Sequence, residues 1–170
     1  MSLFFTSDTH FGQGGALGLF KRPFGSVAEM NRAMVERWND TVGPEDEVWH
    51  LGDFAIGPKG AALAELLASL NGRKHLVAGN NDSAEVRGLK DWALVSPYAE
   101  IEVEGRLLVM CHFPFRSWNR MAKGAIDLHG HSHGAMKPLL RQVDVGVDAW
   151  DFRPASLEAV LERASGRRRA

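Results

Sequence analysis

Residues 1–10, Met1-Ser2-Leu3-Phe4-Phe5-Thr6-Ser7-Asp8-Thr9-His10, carry an apolar run from Leu3 to Thr6 that ends on an Asp-x-His turn. The run reads as a buried strand, because it is short, aromatic and bounded by a polar loop. The same grammar recurs along the chain. Glu47 to Leu51 leads into Gly52-Asp53, and Arg73 to Ala78 into Gly79-Asn80-Asn81-Asp82. Arg106 to Cys111 leads into His112, and Ala125 to Leu128 into His129-Gly130-His131-Ser132-His133. Each polar cluster therefore sits just after a predicted strand. An α/β fold gathers its site at strand ends, where loops project side chains from a rigid frame.

Working outward, helical signals separate the early strands. Ser26 is an N-cap candidate with Glu29 completing a capping box, and Val27, Met30, Met34 and Trp38 recur at helical spacing. Gly43-Pro44 breaks the chain before the second strand. Lys59 to Leu70 is a helix by periodicity, and Asn71-Gly72 ends it. Tyr98 to Val103 and Arg106 to Cys111, joined by Glu104-Gly105, form a hairpin signature. Gln142 to Val147 reads as a further strand, and Ser156 caps a last amphipathic helix to about Arg163. Early β-α-β units followed by hairpin-connected strands predict an α/β fold of two stacked sheets flanked by helices. The Gly12, Gly14, Gly15 and Gly18 run has the wrong spacing for a dinucleotide fingerprint and reads as a flexible loop.

The bulk numbers are those of an ordinary globular chain. The 170 residues are 45% hydrophobic and 24% charged, enough for a single domain with a sizeable core. A net charge of −1 gives no electrostatic reason to expect nucleic acid or a membrane as partner. Arg167-Arg168-Arg169 at the C-terminus reads as a solvated tail. A lone Cys111 excludes a disulfide framework and fits a reducing compartment. The N-terminus lacks the charged n-region of a signal peptide, and no apolar run approaches the roughly 20 residues that span a bilayer. A cytoplasmic protein is expected.

The side chains in the five clusters narrow the chemistry. Carboxylates, imidazoles and one amide oxygen, without thiolate, suit Mn, Fe, Co, Ni or Zn, with Mn the first expectation. Asp8, His10, Asp53, Asn80, His112, His131 and His133 make seven candidate ligands, too many for one tetrahedral zinc. They suffice for two divalent ions if a carboxylate bridges, and Asp53 is the natural bridge. A pair at about 3.5–4 Å can hold a hydroxide and clamp phosphate oxygens during in-line attack. Hydrolysis of a phosphate ester without a covalent intermediate is the expected reaction.

The ordered set resembles the calcineurin-like metallophosphoesterase family, whose pattern is D-x-H, G-D, G-N-H-[DE], H and G-H-x-H. The match runs from Asp8 to His133, and the compact length with Lys21-Arg22-Pro23-Phe24 is similar to its small bacterial members. The resemblance implies a four-layer α-β-β-α sandwich of two facing mixed sheets. It also implies Asp8, His10 and His133 on one ion, Asn80, His112 and His131 on the other, and Asp53 between. One departure stands out: Asn81 occupies the place of a substrate-facing His. An amide donates a neutral hydrogen bond but delivers no proton. General acid catalysis is worth about 10²–10⁴-fold, most with a poor leaving group. The expected substrates are therefore phosphodiesters or activated esters, small molecules and nucleotides included.

Other residues receive supporting roles. Asp82 is expected to brace its loop, and His129 to stand behind the ligands, since alternation turns it from its neighbour's face. His50 reads as a partner behind the ligands or a core residue, and His75 as structural. Arg116 is assigned with Asn81 to the phosphoryl oxygens, while Arg22 and Trp118 are assigned to substrate binding, Trp118 as a stacking platform. The rival readings are a nucleotide or polynucleotide phosphomonoesterase and, in another class, a protein-interaction scaffold. The complete ligand set argues against the scaffold.

Overall fold

Phe4 and Phe5 are both buried, yet they enter different cores, because successive strand residues face opposite sides of a sheet. The computed structural model describes residues 1–137 and 139–166, so the arginine tail at 167–169 lies outside the described residues. Its first strand, β1 (Leu3–Thr6), runs parallel to β2 (Glu47–His50), β2 to β3 (Arg73–Val77), and β3 to β4 (Trp92–Ser96). A second sheet holds β5 (Ala99–Val103), β6 (Arg106–Met110), β7 (Ile126–His129) and β8 (Gln142–Asp144) in that order. β5 is antiparallel to β6, and the rest are parallel. The last strand, β9 (Ala155–Ser156), returns antiparallel to β1, giving the first sheet the order β4-β3-β2-β1-β9. Both sheets are thus mixed.

The sheets face each other through one core. Phe5, Trp49, Leu51 and Val77 meet Leu108, Met110, Ile126, Leu128 and Val143. The opposite face of the first sheet, with Phe4, Val48 and Leu76, packs on helices. These are the short α1 (Gly15–Leu19), α2 (Val27–Thr41), α3 (Gly60–Ala68) and the single turn α4 (Ala84–Arg87). α2 starts where its cap predicts: Ser26 Oγ accepts from Glu29 N at 3.1 Å, and the Glu29 carboxylate accepts from Gly25 N at 2.8 Å. Met30, Met34 and Trp38 form its buried face. The final helix, α5 (Leu157–Ala164), is capped by Ser156 and packs against β1, β8 and β9.

Three expectations need correcting. The glycine run is not all loop: Gly15–Leu19 is a turn of helix, held because Ala16 is fully buried in the helical core. The strand expected over 142–147 stops at Asp144, and residues 147–149 form a 3-10 turn. Trp118 is no stacking platform. Its indole is buried against Val109 and Ala125 on the outer face of the second sheet, with Nε1 donating to the Ala125 carbonyl at 2.9 Å. The hairpin, by contrast, closes at Glu104 (φ 50°) and Gly105 (φ 71°), the left-handed pair of a two-residue turn. Among the described residues no helix is long and apolar enough to cross a membrane.

Candidate metal centre

The C-terminal ends of β1, β2, β3, β6 and β7 deliver the polar clusters to one cleft between the sheets. Asp8, His10 and His133 place ligand-type atoms within 4.8 Å of one another, and so do Asp8, Asp53 and His112. Asp53 Oδ2 lies 3.6 Å from His10 Nε2 and 3.5 Å from His112 Nε2, between the two groups. Asp8 is common to both groups, so two carboxylates rather than one stand at the centre. Asn80 Oδ1 is 3.1 Å from His112 Nε2. The His131 ring lies 5.2 Å from that of His112, and its backbone N–H donates to Asp8 Oδ2 at 2.9 Å. Asn80 and His131 are exposed, while Asp8, His10, Asp53 and His112 are buried.

The backbone is bent hard to achieve this. Asp8, His10, Asp53, His131 and His133 all have φ between 47° and 65°, the left-handed region that side chains other than glycine's seldom adopt. Neighbouring glycines make the crowding possible. A Cβ on Gly79 would stand 2.4 Å from Asp53 Oδ1, and one on Gly130 2.3 Å from Asp8 Oδ2. Asp8 Oδ1 and both ring nitrogens of His10 are buried without a hydrogen-bond partner. Buried polar atoms left unpaired are costly, and a cation beside them would satisfy Asp8 Oδ1 and one ring nitrogen of His10. The residues present therefore fit divalent metal.

Electrostatics agree with that fit. Burial pushes the Asp8 carboxyl up, but the neighbouring imidazoles of His10, His133 and His112 and the Ser7 hydroxyl beside it outweigh that, leaving it at about 2. Asp82 accepts from Gly79 N, Asp53 N and Phe54 N at 2.7, 2.9 and 2.8 Å, tying the β3 loop to the β2 loop. Burial still holds its carboxyl above the ordinary range. His50 is fully buried and its ring is held far below the usual value, at about 3. Burial is the main cause, and the bonding pattern agrees. Gly52 N donates to His50 Nδ1 at 3.2 Å, so Nε2 carries the proton facing Thr9 Oγ1 at 2.9 Å.

The remaining assignments divide. Arg116 is exposed on the loop after β6 and bonds to nothing among the described residues. Asn81 does not reach out freely: its backbone N–H and Nδ2 donate to Asp53 Oδ1 and Oδ2 at 2.8 and 2.7 Å. Its first contact is the central carboxylate, a correction to its expected place on the phosphoryl oxygens. Arg22 is overturned as a substrate contact, since its side chain has 0% exposure and its guanidinium is saturated by Asp148, Asp8 and Thr9. His129 lies buried on the outer face of the second sheet, with Nδ1 against the Gly130 carbonyl at 2.8 Å.

Three residues at the site escaped the sequence reading. Asp148 accepts from His133 Nδ1 at 2.8 Å, and its signal was an acid two residues after Gly146 beyond a strand, the same grammar as Gly52-Asp53. Phe20 stacks on His133 at 3.5 Å between centroids. Phe113, 45% exposed, sets its ring 4.8 Å from His131 at the rim.

Two facing mixed sheets that bring carboxylates and imidazoles from four strand ends, and an amide from a fifth, to one largely buried cluster make a site of the metallohydrolase kind. The chain belongs to the calcineurin-like phosphoesterase superfamily, whose domain profile matches residues 1–157. Membership makes it a hydrolase of the phosphoesterase class. It is 29% identical over 168 residues to the uncharacterized protein MJ1445 of Methanocaldococcus jannaschii, covering 94% of this chain and 89% of that one. It is 30% identical over 182 residues to the gene 66 protein of Mycobacterium phage D29, covering 88% and 89%. A solved structure of AQ665, a protein of unknown function from Aquifex aeolicus, shares the fold. Its TM-score is 0.73 at 22% identity, over 95% of this chain and 98% of that one.

Proposed function

We propose that this protein hydrolyses small phosphodiesters or activated phosphate esters with two divalent ions, Mn by first preference. The observation that carries the two-ion reading is the pair of ligand groups meeting at Asp8 and Asp53, each group with its own imidazoles. Asp8, His10 and His133 would hold one ion and Asn80, His112 and His131 the other, with Asp53 between. Bound there, the ions would supply an acidified water for attack and positive charge against the phosphoryl oxygens. Asn81 steadies the Asp53 carboxylate, and Arg116 is free to close on a phosphate oxygen with its fork of donors.

The preference among esters rests on a census of imidazoles. The chain has seven histidines, and four are candidate ligands. His50, His75 and His129 are all buried away from the cleft mouth, so none is spare to protonate a leaving oxygen. A site without that donor favours leaving groups that depart unaided. The test is turnover of bis-p-nitrophenyl phosphate against nucleoside monophosphates by Mn-loaded protein, with metal content measured on the same sample. Activity on the diester with about two ions per chain supports the reading. Faster turnover of the monophosphates would make the protein a phosphomonoesterase instead.

A further inference from the structure

Arg22 is a cation without solvent, and its partners all lead to one side of the metal centre. Its Nε and Nη2 fork onto Asp148 Oδ1 and Oδ2, both at 2.9 Å. Nη2 also reaches the Asp8 carbonyl at 2.6 Å, and Nη1 the Thr9 carbonyl at 2.8 Å. The guanidinium thereby grips the backbone between two left-handed residues, Asp8 (φ 57°) and His10 (φ 48°). Such conformations persist only where the surroundings over-determine them. Asp148 in turn receives Nδ1 of His133 at 2.8 Å. A ring that donates through Nδ1 presents the Nε2 lone pair, which here lies 3.7 Å from Asp8 Oδ1. Phe20, stacked on that ring at 3.5 Å between centroids, restricts it further.

We propose that Arg22 and Asp148 are positioning residues for one ion only. They pre-set Asp8, His10 and His133 so that this ion binds first and more tightly than its neighbour. The inference rests on reading those three residues as ligands. The other ligand group has no carboxylate behind an imidazole among the described residues: His112 Nδ1 lies on the Leu51 carbonyl at 2.7 Å, backbone N–H bonds hold the loops of Asn80 and His131, and the Asn80 and His131 side chains are exposed. A carboxylate behind a ligating imidazole fixes its tautomer and strengthens it as a donor, and losing one typically weakens metal binding 10–100-fold. The bidentate arginine cancels the Asp148 charge, which lets the pair sit buried.

Calorimetric titration of the metal-free protein with Mn²⁺ tests this. Wild type should fill in two resolved steps. Asp148→Asn should weaken the tighter step about 10–100-fold and leave the weaker within about threefold. Arg22→Lys, which keeps the charge and loses the fork, should shift the same step less. Equal weakening of both steps, or of neither, overturns the proposal. A wild type that binds no Mn²⁺ overturns the two-ion reading and this inference with it, whereas two steps that respond alike overturn this inference alone. Should the variants not fold, ¹⁵N spectra of the wild-type imidazoles in metal-free protein decide: His133 must carry Nδ1–H with Nε2 bare, and an Nε2–H tautomer refutes the brace.

Discussion

The two walls of the cleft are held by different forces. On the wall made by the β1 loop and His133, the buried Arg22–Asp148 pair, a stacked phenyl ring and His50 behind Thr9 hold the Asp8 and Thr9 backbone and the His133 ring. On the wall made by the β3 and β6 loops and His131, the backbone does most of the holding, and the Asn80 and His131 side chains are exposed. A buried, over-determined wall suits an ion that stays. An exposed and lightly tethered wall suits an ion that adjusts as substrate arrives and product leaves. Asp53 belongs to neither wall, since its Oδ2 is within 3.6 Å of an imidazole from each.

That central position gives the largest expected effect. Asp53→Asn should cut turnover of bis-p-nitrophenyl phosphate by about 10³-fold or more, the scale of removing a principal electrostatic contributor. It should also lower retained metal on both sides at once. If metal analysis shows loss on one side only, Asp8 is the carboxylate the two ions share.

Next in size is the contrast between the walls without metal. Arg22→Met leaves the largely buried Asp148 carboxylate with only the His133 ring against it and strips donors from the Asp8 and Thr9 carbonyls, a change that costs about 3 kcal/mol in urea unfolding. Asn80→Ala, at an exposed position, should stay within about 0.5 kcal/mol. Equal costs for the two would erase the distinction between a clamped wall and an open one.

The same contrast explains what the sequence could disclose. The seven candidate ligands were legible because the signal is local: a strand followed within a few residues by polar side chains. Asp82 was legible for the same reason, its partners lying on the next loop and within its own turn. Arg22 was not, because the residue that consumes its guanidinium is 126 positions away. In sequence a loop arginine near a phosphate site looks like a substrate contact, and only closure of the chain buries it. Trp118 failed likewise, since its burial depends on Val109, which faces away from the inter-sheet core. The helix at Gly15–Leu19 contradicts glycine's helix propensity, and burial of Ala16 outweighs that weak local preference.

A smaller effect separates the walls by pH. His50 titrates near 6.5 when unfolded and near 3 when folded, so the unfolded chain binds the extra proton as pH falls between those values. The stability it contributes is complete above about pH 6.5 and is lost on the way down toward 3, with a limiting slope of about 1.4 kcal/mol per pH unit. Urea midpoints at pH 7, 6, 5 and 4.5 should fall along that slope in wild type. They should fall less steeply in His50→Gln, which keeps a partner for Thr9 without the titration. An unchanged slope in the variant would assign the acid sensitivity elsewhere.

The smallest effect concerns the open wall. Phe113 keeps 45% of its surface in solvent while its ring lies 4.8 Å from His131 and 5.1 Å from His112. An exposed phenyl group at the rim of a polar site is placed to meet the non-phosphoryl half of a substrate, the role Trp118 gives up by being buried. Aromatic contacts of this kind are worth about 0.5–1.5 kcal/mol beyond area. Phe113→Ala should therefore raise KM for an aryl diester about two- to tenfold while leaving kcat and metal content near wild type. Binding lost equally from ground and transition states moves KM alone. A fall in kcat instead would mean that the ring acts on His131 and its ion, and the open wall would then be less free than its exposure implies.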